Sequence, residues 1–594
     1  MKHKKEVLCT ELYTPEGAAL IKDPNAIPWS EYPRPHLKRD SYLCLNGAWE
    51  FATSPVGAAP QYGETVRVPF VPESPLSGIG RAMPRGERLC YRRRFVLPEG
   101  FVHGRVLLHI GAADQIAEVL VNGCSFGTHR GGYASFSFDV TDCLQAENTV
   151  EILVTDELEN KILPYGKQCF KRGGMWYTPT SGLWQTVWLE STPMQYVREL
   201  HVTTDESGAD LTVEMNDHSL CNGEVVLHLP TKDTVFALQN GHARIEVQDP
   251  VLWSPDTPVL YDVTVKTESD TVETYFALRT LEVKEVGGYP RLCLNGKPYF
   301  FHGLLDQGYF SDGIFLPASP EGYERDILAA KKMGFNMLRK HIKVEPELFY
   351  YACDRLGMTV FQDMVNNSDY SFLRDTALPT VGIKRLSDLR MHKNKESREA
   401  FLSCMEETVN RLSFHPCVCY WTIFNEGWGQ FDHASAYDRL KAIDSTRFVD
   451  AVSGWFTPRR ADALRSDVES LHIYFKPVRI KPSKKPIVLS EFGGYSYRAE
   501  GHVYNLNHNY GYRTFTEQSA FADALEKLYT DEVLPAIGRG LCAAVYTQLS
   551  DVEDETNGLL TYDRQVEKVD AERMKRIADA LLCAMENVNT VSFM

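Results

Sequence analysis

The sequence predicts two β-sandwiches followed by an eight-stranded α/β barrel. The chain of 594 residues is longer than the ~250–300 residues at which a single hydrophobic core stops growing, so several domains are expected. Short strand-like runs separated by turn signals fill the first half, with almost no helical periodicity between them. From residue 285 onward strands alternate with helices, which is typical of a (β/α)8 barrel.

The first predicted domain, residues 1–192, is a jelly-roll-type β-sandwich. Arg105–Ile110 and Glu118–Val121 have the composition of strands. Asn122-Gly123 follows the second run directly, and this dipeptide is a strong signal for a tight hairpin turn.

The second predicted domain, residues 193–284, is an immunoglobulin-like sandwich. Leu211–Met215 and Tyr261–Val265 alternate apolar and polar side chains, as half-buried strands do. The length of the segment suits a small sandwich of this type.

The third predicted domain, residues 285–594, is the barrel. Ser319-Pro320-Glu321 begins a helix, because it combines an N-cap residue, a proline in the first turn and an acid near the positive helix end. Residues 396–412 carry apolar side chains at helical spacing. The eight strand candidates are Tyr299–Leu305, Phe335–Arg339, Met358–Asp363, Trp421–Asn425, Phe448–Val452, Leu471–Phe475, Pro486–Ser490 and Cys542–Leu549.

Two of these runs end in a glutamate that is followed closely by small residues. Glu426 follows the fourth strand, and Glu491 follows the seventh, 65 residues later. Because α/β barrels keep their chemistry at the carboxyl ends of the strands, both carboxylates are expected at the barrel mouth. Such a pair suits the cleavage of a glycosidic bond, in which one carboxyl group protonates the leaving oxygen and the other attacks the sugar or activates water.

Composition and charge exclude several function classes. The formal net charge of −16 argues against nucleic acid or an anionic membrane surface as a partner. The 14 cysteines include no C-x-x-C pair, and Cys417 and Cys419 fall near a predicted buried strand. Neither a disulfide framework nor a zinc site is therefore expected, and no metal or other cofactor is predicted.

The amino terminus is not expected to direct secretion. Met1–Lys5 resembles the basic start of a signal peptide, but Glu6–Glu11 interrupts the apolar run that such a peptide needs. No apolar run reaches membrane-spanning length. These features predict a cytoplasmic protein that does not bind membranes.

Several motifs form a set that can be compared with known families. They are Leu45–Trp49, Val121–Gly123, His129–Tyr133, Pro179–Gln185, Trp253–Asp256, Phe276–Arg279, Asn425-Glu426 and Ser490–Gly493. In this order of modules they resemble glycoside hydrolase family 2, the family of β-galactosidases, β-glucuronidases and β-mannosidases. The resemblance covers nearly the whole chain. It implies a retaining exo-β-glycosidase that acts on a small carbohydrate or glycoconjugate, and it allows for a homo-oligomer.

Chemical roles can be assigned around the two glutamates. Glu426 would act as general acid and then as general base, which requires that burial and the second carboxylate raise its pKa. Glu491 would stay ionised and attack the anomeric carbon. Arg339 on strand two and Tyr474 near the end of strand six are the candidates that would hold Glu491 in place.

Five further residues are candidates for contacts with the sugar, and the resemblance implies such contacts for Asn425 and Asp363. Asn425 would bind the 2-hydroxyl group, an interaction that strengthens in the transition state. Asp363 at the end of strand three resembles a family carboxylate that binds sugar hydroxyls, although a helix-capping role is the alternative. Asp306, His341 and Trp428 complete the substrate-binding candidates.

Departures from the family pattern leave the identity of the terminal sugar undetermined. Gly303–Tyr309 lacks the usual N-x-H-E type motif, and the histidine in Arg339–Lys343 stands one position early. Tyr546–Gln548 replaces the usual tryptophan on strand eight. Leu559–Arg564 lacks the N-x-K pair by which β-glucuronidases bind a carboxylate.

The basic residues Arg339, Lys340 and Lys343 favour a substrate with a carboxylate. A hexuronic acid of the galacto type is therefore predicted, with β-galacturonidase ahead of β-glucuronidase. This depends on the lysines facing the pocket; alternatively, Lys340 points outward and Lys343 lies in a solvated loop. The same residues are also compatible with a neutral β-galactosidase, a transglycosidase with the same covalent intermediate, or a catalytically dead carbohydrate-binding protein.

Overall fold

A computed structural model describes residues 7–380, 382–383, 387–457 and 463–591. Side chains are described over the same ranges apart from Thr380, Arg390 and residues 589–591. Two antiparallel β-sandwiches precede a parallel eight-stranded barrel, so the predicted fold class is confirmed. The domain boundaries at 192 and 284 stay predictions.

The first module is a sandwich of two antiparallel sheets preceded by a short helix, α1 (Pro15–Leu20). Its strands are β1 (Leu43–Cys44), β2 (Gly47–Pro55), β3 (Glu64–Val68), β4 (Glu87–Phe95), β5 (Arg105–Ile110), β6 (Ala113–Asp114), β7 (Ile116–Val121), β8 (Cys124–Arg130), β9 (Phe136–Asp139), β10 (Asn148–Thr155), β11 (Gly182–Leu183) and β12 (Val187–Thr192). The sheet orders are β1-β12-β5-β9 and β3-β2-β4-β10-β7-β8. Side chains of both sheets, such as Trp49, Tyr91 and Leu189, share one apolar core.

The second module is a smaller antiparallel sandwich. Its strands are β13 (Val197–Thr204), β14 (Gly208–Met215), β15 (Gly223–Leu227), β16 (Thr234–Leu238), β17 (His242–Glu246), β18 (Tyr261–Thr267) and β19 (Thr271–Phe276). They form sheets of order β13-β14-β17 and β16-β15-β18-β19 around a second core that contains Val225 and Val263. The alternation predicted for residues 211–215 and 261–265 appears as buried positions at every second residue.

The barrel follows a small sheet made of β20 (Leu281–Val286), β21 (Tyr289–Leu294) and β22 (Lys297–Pro298). Its eight parallel strands, called strands one to eight below, are β23 (Phe301–Asp306), β24 (Met337–Lys340), β25 (Thr359–Asp363), β26 (Val418–Asn425), β27 (Phe448–Ser453), β28 (Glu469–Ile473), β29 (Ile487–Gly493) and β32 (Leu541–Thr547). The ladder runs 5-4-3-2-1-8-7-6. The short pair β30 (Tyr495–Tyr497) and β31 (Arg513–Phe515) lies between strands seven and eight.

Helices separate most of the barrel strands and cover their outer face. They are α2 (Glu321–Lys332), α3 (Glu347–Leu356), α4 (Leu378–Thr380), α5 (Lys395–Leu412), α6 (His433–Ile443), α7 (Gln518–Leu528), α8 (Leu534–Ile537) and α9 (Ala571–Val591). The barrel interior is a packed core in which Leu292 of β21 lies with side chains of the strands. This packing leaves the carboxyl ends of the strands as the place where polar side chains converge.

Candidate active site

Glu426 and Glu491 lie together at the carboxyl ends of strands four and seven. Both are buried, with 9% and 4% of their surface exposed. Glu426 directly follows β26 and has a φ of 51°, a left-handed conformation that costs a non-glycine residue about 1–3 kcal/mol. Its backbone N–H donates to the carbonyl of Ser453 at 3.0 Å, which fixes this turn against strand five.

Glu491 is held by an arginine and a tyrosine, as predicted. Arg339 Nη1 donates to Oε1 at 3.2 Å, and the Tyr474 hydroxyl donates to Oε2 at 2.5 Å. Burial raises the pKa of Glu491, and the charge of Glu426 adds to this effect. His472, Arg339 and Tyr474 act in the opposite direction, because each of them favours the ionised carboxylate.

His472 connects the two glutamates, and the sequence analysis missed it. Its Nδ1 shares a hydrogen bond with Glu426 Oε1 at 2.8 Å and lies 3.4 Å from Glu491 Oε2. Its Nε2 lies 3.0 Å from Ser453 Oγ. His472 is the register partner of Glu491 in the parallel ladder and stands two positions before Tyr474. Side chains two positions apart share a strand face, so this spacing was the signal that could have found it.

Arg339 also holds Asp363 and Asn425 in place, and we call these three residues the floor of the site. Its Nε donates to Asp363 Oδ1 at 2.9 Å and its Nη2 to Asn425 Oδ1 at 2.9 Å. Since Asn425 accepts through its oxygen, its NH2 group is left without a partner among the described residues and can donate to a ligand. Burial alone would raise the pKa of Asp363, but Arg339 and His341 outweigh it and lower the pKa to about 2.

His341 is buried behind this floor. Its Nδ1 lies 2.7 Å from Asp363 Oδ2. Burial and the positive charge of Lys167 lower the pKa of His341 to about 3, so the imidazole is neutral at neutral pH. The structure therefore places Asn425, Arg339, Asp363, His341 and Tyr474 in one network with the two glutamates.

The lysines of strand two lie elsewhere. Lys340 Nζ donates to Asp306 Oδ2 at 2.5 Å and to Glu345 Oε1 at 2.9 Å, because strand pairing sets Asp306 and Lys340 opposite each other. Lys343 Nζ donates to Glu345 at 3.0 Å and to the carbonyls of Gly308 and Phe315. We call Asp306, Lys340, Lys343 and Glu345 the strand-two ion cluster.

The strand-two ion cluster corrects two expectations. All four side chains are buried, and Lys340 is fully inaccessible, so neither Lys340 nor Asp306 presents a free charge to a sugar. Lys343 is not in a solvated loop, because its side chain is buried, and this burial lowers the pKa of the lysine to about 8. The lysines and carboxylates of the cluster neutralise one another. The prediction that Lys340 and Lys343 bind a sugar carboxylate therefore loses its basis.

A loop of the first module, residues 165–178, covers one side of the barrel mouth. The Tyr165 hydroxyl donates to the carbonyl of Ser368 at 2.9 Å, and the ring of Trp176 stacks on Trp428 with centroids 5.2 Å apart. Arg172, Tyr177 and Thr178 contact the loop after strand eight through Glu553, Asp554 and Glu555. Trp428 thus joins the first module to the catalytic end of the barrel.

Two family models match the chain. Residues 289–578 match the model described as "Glycosyl hydrolases family 2, TIM barrel domain", and residues 195–279 match "Glycosyl hydrolases family 2". The chain belongs to glycosyl hydrolase family 2. The predicted resemblance to this family is confirmed, and the described residues that match include the whole network around Glu426 and Glu491.

Individual family 2 proteins are similar at low identity. A β-galactosidase of Thermoanaerobacter pseudethanolicus is 23% identical over 445 residues, covering 70% of this chain and 55% of that protein. A β-glucuronidase of Pongo abelii is 26% identical over 469 residues, covering 68% of each. The chain spans about half the length of the first curated relatives it matches, 43% and 55%.

The fold is also similar to solved structures of the family. A β-galacturonidase from Eisenbergiella tayi bound to galacturonate superposes with a TM-score of 0.66 at 18% identity, covering 93% of this chain and 99% of that one. At this identity the likeness concerns the fold. Within the described residues, the helices lack the combination of length and apolarity that spanning a membrane requires.

Glu426, His472 and Glu491 also have the donor atoms of a metal site. One ligand atom from each lies within 4.8 Å of the others. However, Glu491 already accepts hydrogen bonds from Arg339 and Tyr474. A cation would compete with these donors for the carboxylate, so the donor set fits a metal less well than it fits two carboxylates with separate proton states.

Proposed function

We propose that this protein is a retaining exo-β-glycosidase that hydrolyses a terminal β-linked sugar by double displacement. The carrying observation is that oxygen atoms of Glu426 and Glu491 lie within 4.8 Å of each other. Retaining glycosidases keep their carboxyl groups about 5–5.5 Å apart, whereas inverting enzymes leave about 6.5–9.5 Å to admit a water.

In the first step Glu491 attacks the anomeric carbon and the glycosidic bond breaks. Glu426 gives its proton to the leaving oxygen, so that the aglycone departs as a neutral alcohol. Arg339 and Tyr474 aim the attacking carboxylate and favour its ionised form against the effect of burial. In the second step Glu426 takes a proton from water, whose oxygen attacks the anomeric carbon and releases Glu491.

The remaining network binds and orders the sugar. The free NH2 group of Asn425 would donate to the 2-hydroxyl group, where hydrogen bonds gain strength in the transition state. Asp363 is ionised and close to Arg339 and His341, and it would accept from sugar hydroxyls. Trp428, two positions after Glu426, stacks on Trp176 and would supply an aromatic wall of the sugar pocket.

The proposed sugar is a hexuronic acid. The names β-glucuronidase and β-galacturonidase among the similar proteins support this class, while the β-galactosidase of Thermoanaerobacter pseudethanolicus favours a neutral galactoside as the second candidate. A panel of nitrophenyl β-galacturonide, β-glucuronide and β-galactoside separates the two, because the proposal requires the highest kcat/KM on a uronide.

Proton NMR of the first-formed product tests the mechanism. Release of the β anomer, followed by slow mutarotation, is the expected result. Initial release of the α anomer would show single displacement and would contradict the role of Glu491 as nucleophile. The Glu491→Gln variant under the same conditions is the control, because it should release no sugar beyond the uncatalysed background.

A further inference from the structure

Lys167 is a buried lysine without a close counter-ion. It lies in the 165–178 loop of the first module, and only 6% of its surface is exposed. Among the described residues, none forms a hydrogen bond with its ammonium group and no carboxylate lies within 4.0 Å of it. A buried cation without a partner is costly, so a site of this kind gains stability from an anion that enters it.

The ammonium group of Lys167 faces the barrel mouth. It lies 5.7 Å from the centre of the Trp428 ring and 5.6 Å from the centre of the Tyr177 ring. The Tyr177 hydroxyl donates to Glu555 at 3.0 Å, so this ring places the ammonium group near the loop after strand eight. Burial raises the pKa of Glu555, and the nearby charge of Lys167 opposes that rise. The cation therefore lies beside the network that holds the two catalytic glutamates.

The backbone around Lys167 is fixed by contacts with the barrel. The carbonyl of Lys167 accepts from the N–H of Tyr177 at 3.0 Å. Gly166 has a φ of 69°, and a Cβ at this position would lie 3.1 Å from the carbonyl oxygen of Ile342. A side chain at this position would be strained by the positive φ and would crowd this carbonyl, so glycine favours the close approach of the loop to the end of strand two.

The other cations near the mouth are already paired. Arg339 contacts Asp363 and Glu491, and Lys340 and Lys343 belong to the strand-two ion cluster. Of these four cations, Lys167 has the ammonium group that remains available to a ligand. Aromatic rings on two sides shield it from water, which strengthens an ion pair with an incoming carboxylate.

We infer that Lys167 binds the carboxylate of the terminal sugar and makes the enzyme prefer hexuronides to neutral glycosides. This inference rests on the proposed glycosidase function and names the residue that would select the substrate. The sequence analysis predicted that barrel residues bind the sugar carboxylate, whereas this inference assigns that role to a loop of the first β-sandwich. A charge-assisted contact of this kind is worth about a 10- to 100-fold preference.

The test compares Lys167→Met with Lys171→Met, an exposed lysine of the same loop that serves as the matched control. On nitrophenyl β-galacturonide or β-glucuronide, Lys167→Met should lower kcat/KM by about 10- to 100-fold, mainly through KM. On nitrophenyl β-galactoside its kcat/KM should change less than about twofold, as should every value for Lys171→Met. Lys167→Arg should keep most of the uronide preference, because it keeps the charge.

Equal losses on uronides and galactoside would overturn the inference and indicate a structural role for Lys167. Wild-type enzyme that prefers the galactoside would also overturn it, yet would leave the glycosidase function standing. Wild-type enzyme that cleaves no β-glycoside would instead defeat the proposed function itself.

A second measurement covers the case in which Lys167→Met does not fold. Binding of free galacturonate and galactose to the wild-type protein is then compared by calorimetry at low and high salt. Tighter binding of galacturonate that weakens with salt supports the inference. Equal affinity for the two sugars overturns it.

Discussion

Two buried charge networks lie side by side at the barrel mouth, and they differ in how their charges are satisfied. The catalytic network joins Arg339, Asp363, Glu426, His472 and Glu491, and its carboxylates outnumber its permanent cation. In the strand-two ion cluster, two lysines face two carboxylates, and backbone carbonyls accept the remaining protons of Lys343.

The difference shows how burial can serve chemistry in one place and structure in another. A network with excess negative charge favours a proton on one carboxyl group, which is what a general acid needs. In a balanced network the charges satisfy one another, and the members mainly hold the ends of strands one and two together. Breaking the catalytic network should therefore lower activity more than stability. Breaking the strand-two ion cluster should lower stability more than activity.

The largest expected effect follows from changing Glu491 to glutamine. Because no covalent intermediate can form, turnover of every nitrophenyl glycoside should fall by about 10⁴-fold or more. The thermal unfolding midpoint should stay within about 3 °C of wild type, since the change is isosteric and reduces like-charge repulsion. Steady-state kinetics and a melting curve check both parts, and residual turnover within 100-fold of wild type would contradict the nucleophile assignment.

Replacing Glu426 by alanine should have an effect that depends on the leaving group. Glycosides with poor leaving groups need its proton and should lose about 10²- to 10⁴-fold in kcat/KM. Dinitrophenyl glycosides leave without protonation, so their first step should be nearly unchanged. A series of aryl glycosides measures this dependence, and equal losses across the series would mean that the two glutamates have been misassigned.

In the strand-two ion cluster, Lys340→Met should act on stability instead. Removing Lys340 leaves the buried carboxylate of Asp306 without its cation, whereas Glu345 keeps Lys343, and the loss costs about 3–5 kcal/mol of unfolding free energy. Lys332→Met is the control, because this exposed lysine pairs with Glu567 at the surface and should cost less than about 1 kcal/mol. The ratio of kcat/KM on uronide to that on galactoside should not change. A lower ratio would indicate that Lys340 contacts the substrate.

Tyr474→Phe should shift the pH profile of the catalytic network. The hydroxyl favours the ionised form of Glu491, so its loss raises a pKa that burial has already raised. Since Glu491 must be ionised to attack, the acidic limb of kcat/KM should move to higher pH by about one unit. Tyr512→Phe keeps the ring stacked 3.8 Å from Tyr474 and should leave the limb in place; a downward shift in Tyr474→Phe would contradict this account.

The smallest expected effect is that of chelation. If Glu426, His472 and Glu491 act as acid–base groups, EDTA should change kcat/KM by less than about twofold. A loss that added magnesium or zinc restores would show that the three donor atoms, which lie within 4.8 Å of one another, hold a metal.

Sequence reasoning placed the two candidate catalytic glutamates at the barrel mouth because their signals are local. Apolar runs that end in Asn425-Glu426 and Ser490-Glu491 predict buried strands with carboxylates at the mouth of a barrel, and strand order follows from counting along the chain. His472 was within reach of the same argument, since it shares a strand face with Tyr474.

What the sequence could not determine is which charged groups meet. Lys340 and Lys343 are basic residues close to Arg339 in sequence, and nothing along the chain shows that Asp306 and Glu345 fold onto them. Lys167 stands 172 positions before Arg339, in a loop whose partners lie on three different barrel segments. Electrostatic pairing depends on distances of a few ångströms between residues far apart in sequence. The tertiary structure alone therefore decided that Arg339, Lys340 and Lys343 are paired with carboxylates, whereas no described carboxylate pairs with Lys167.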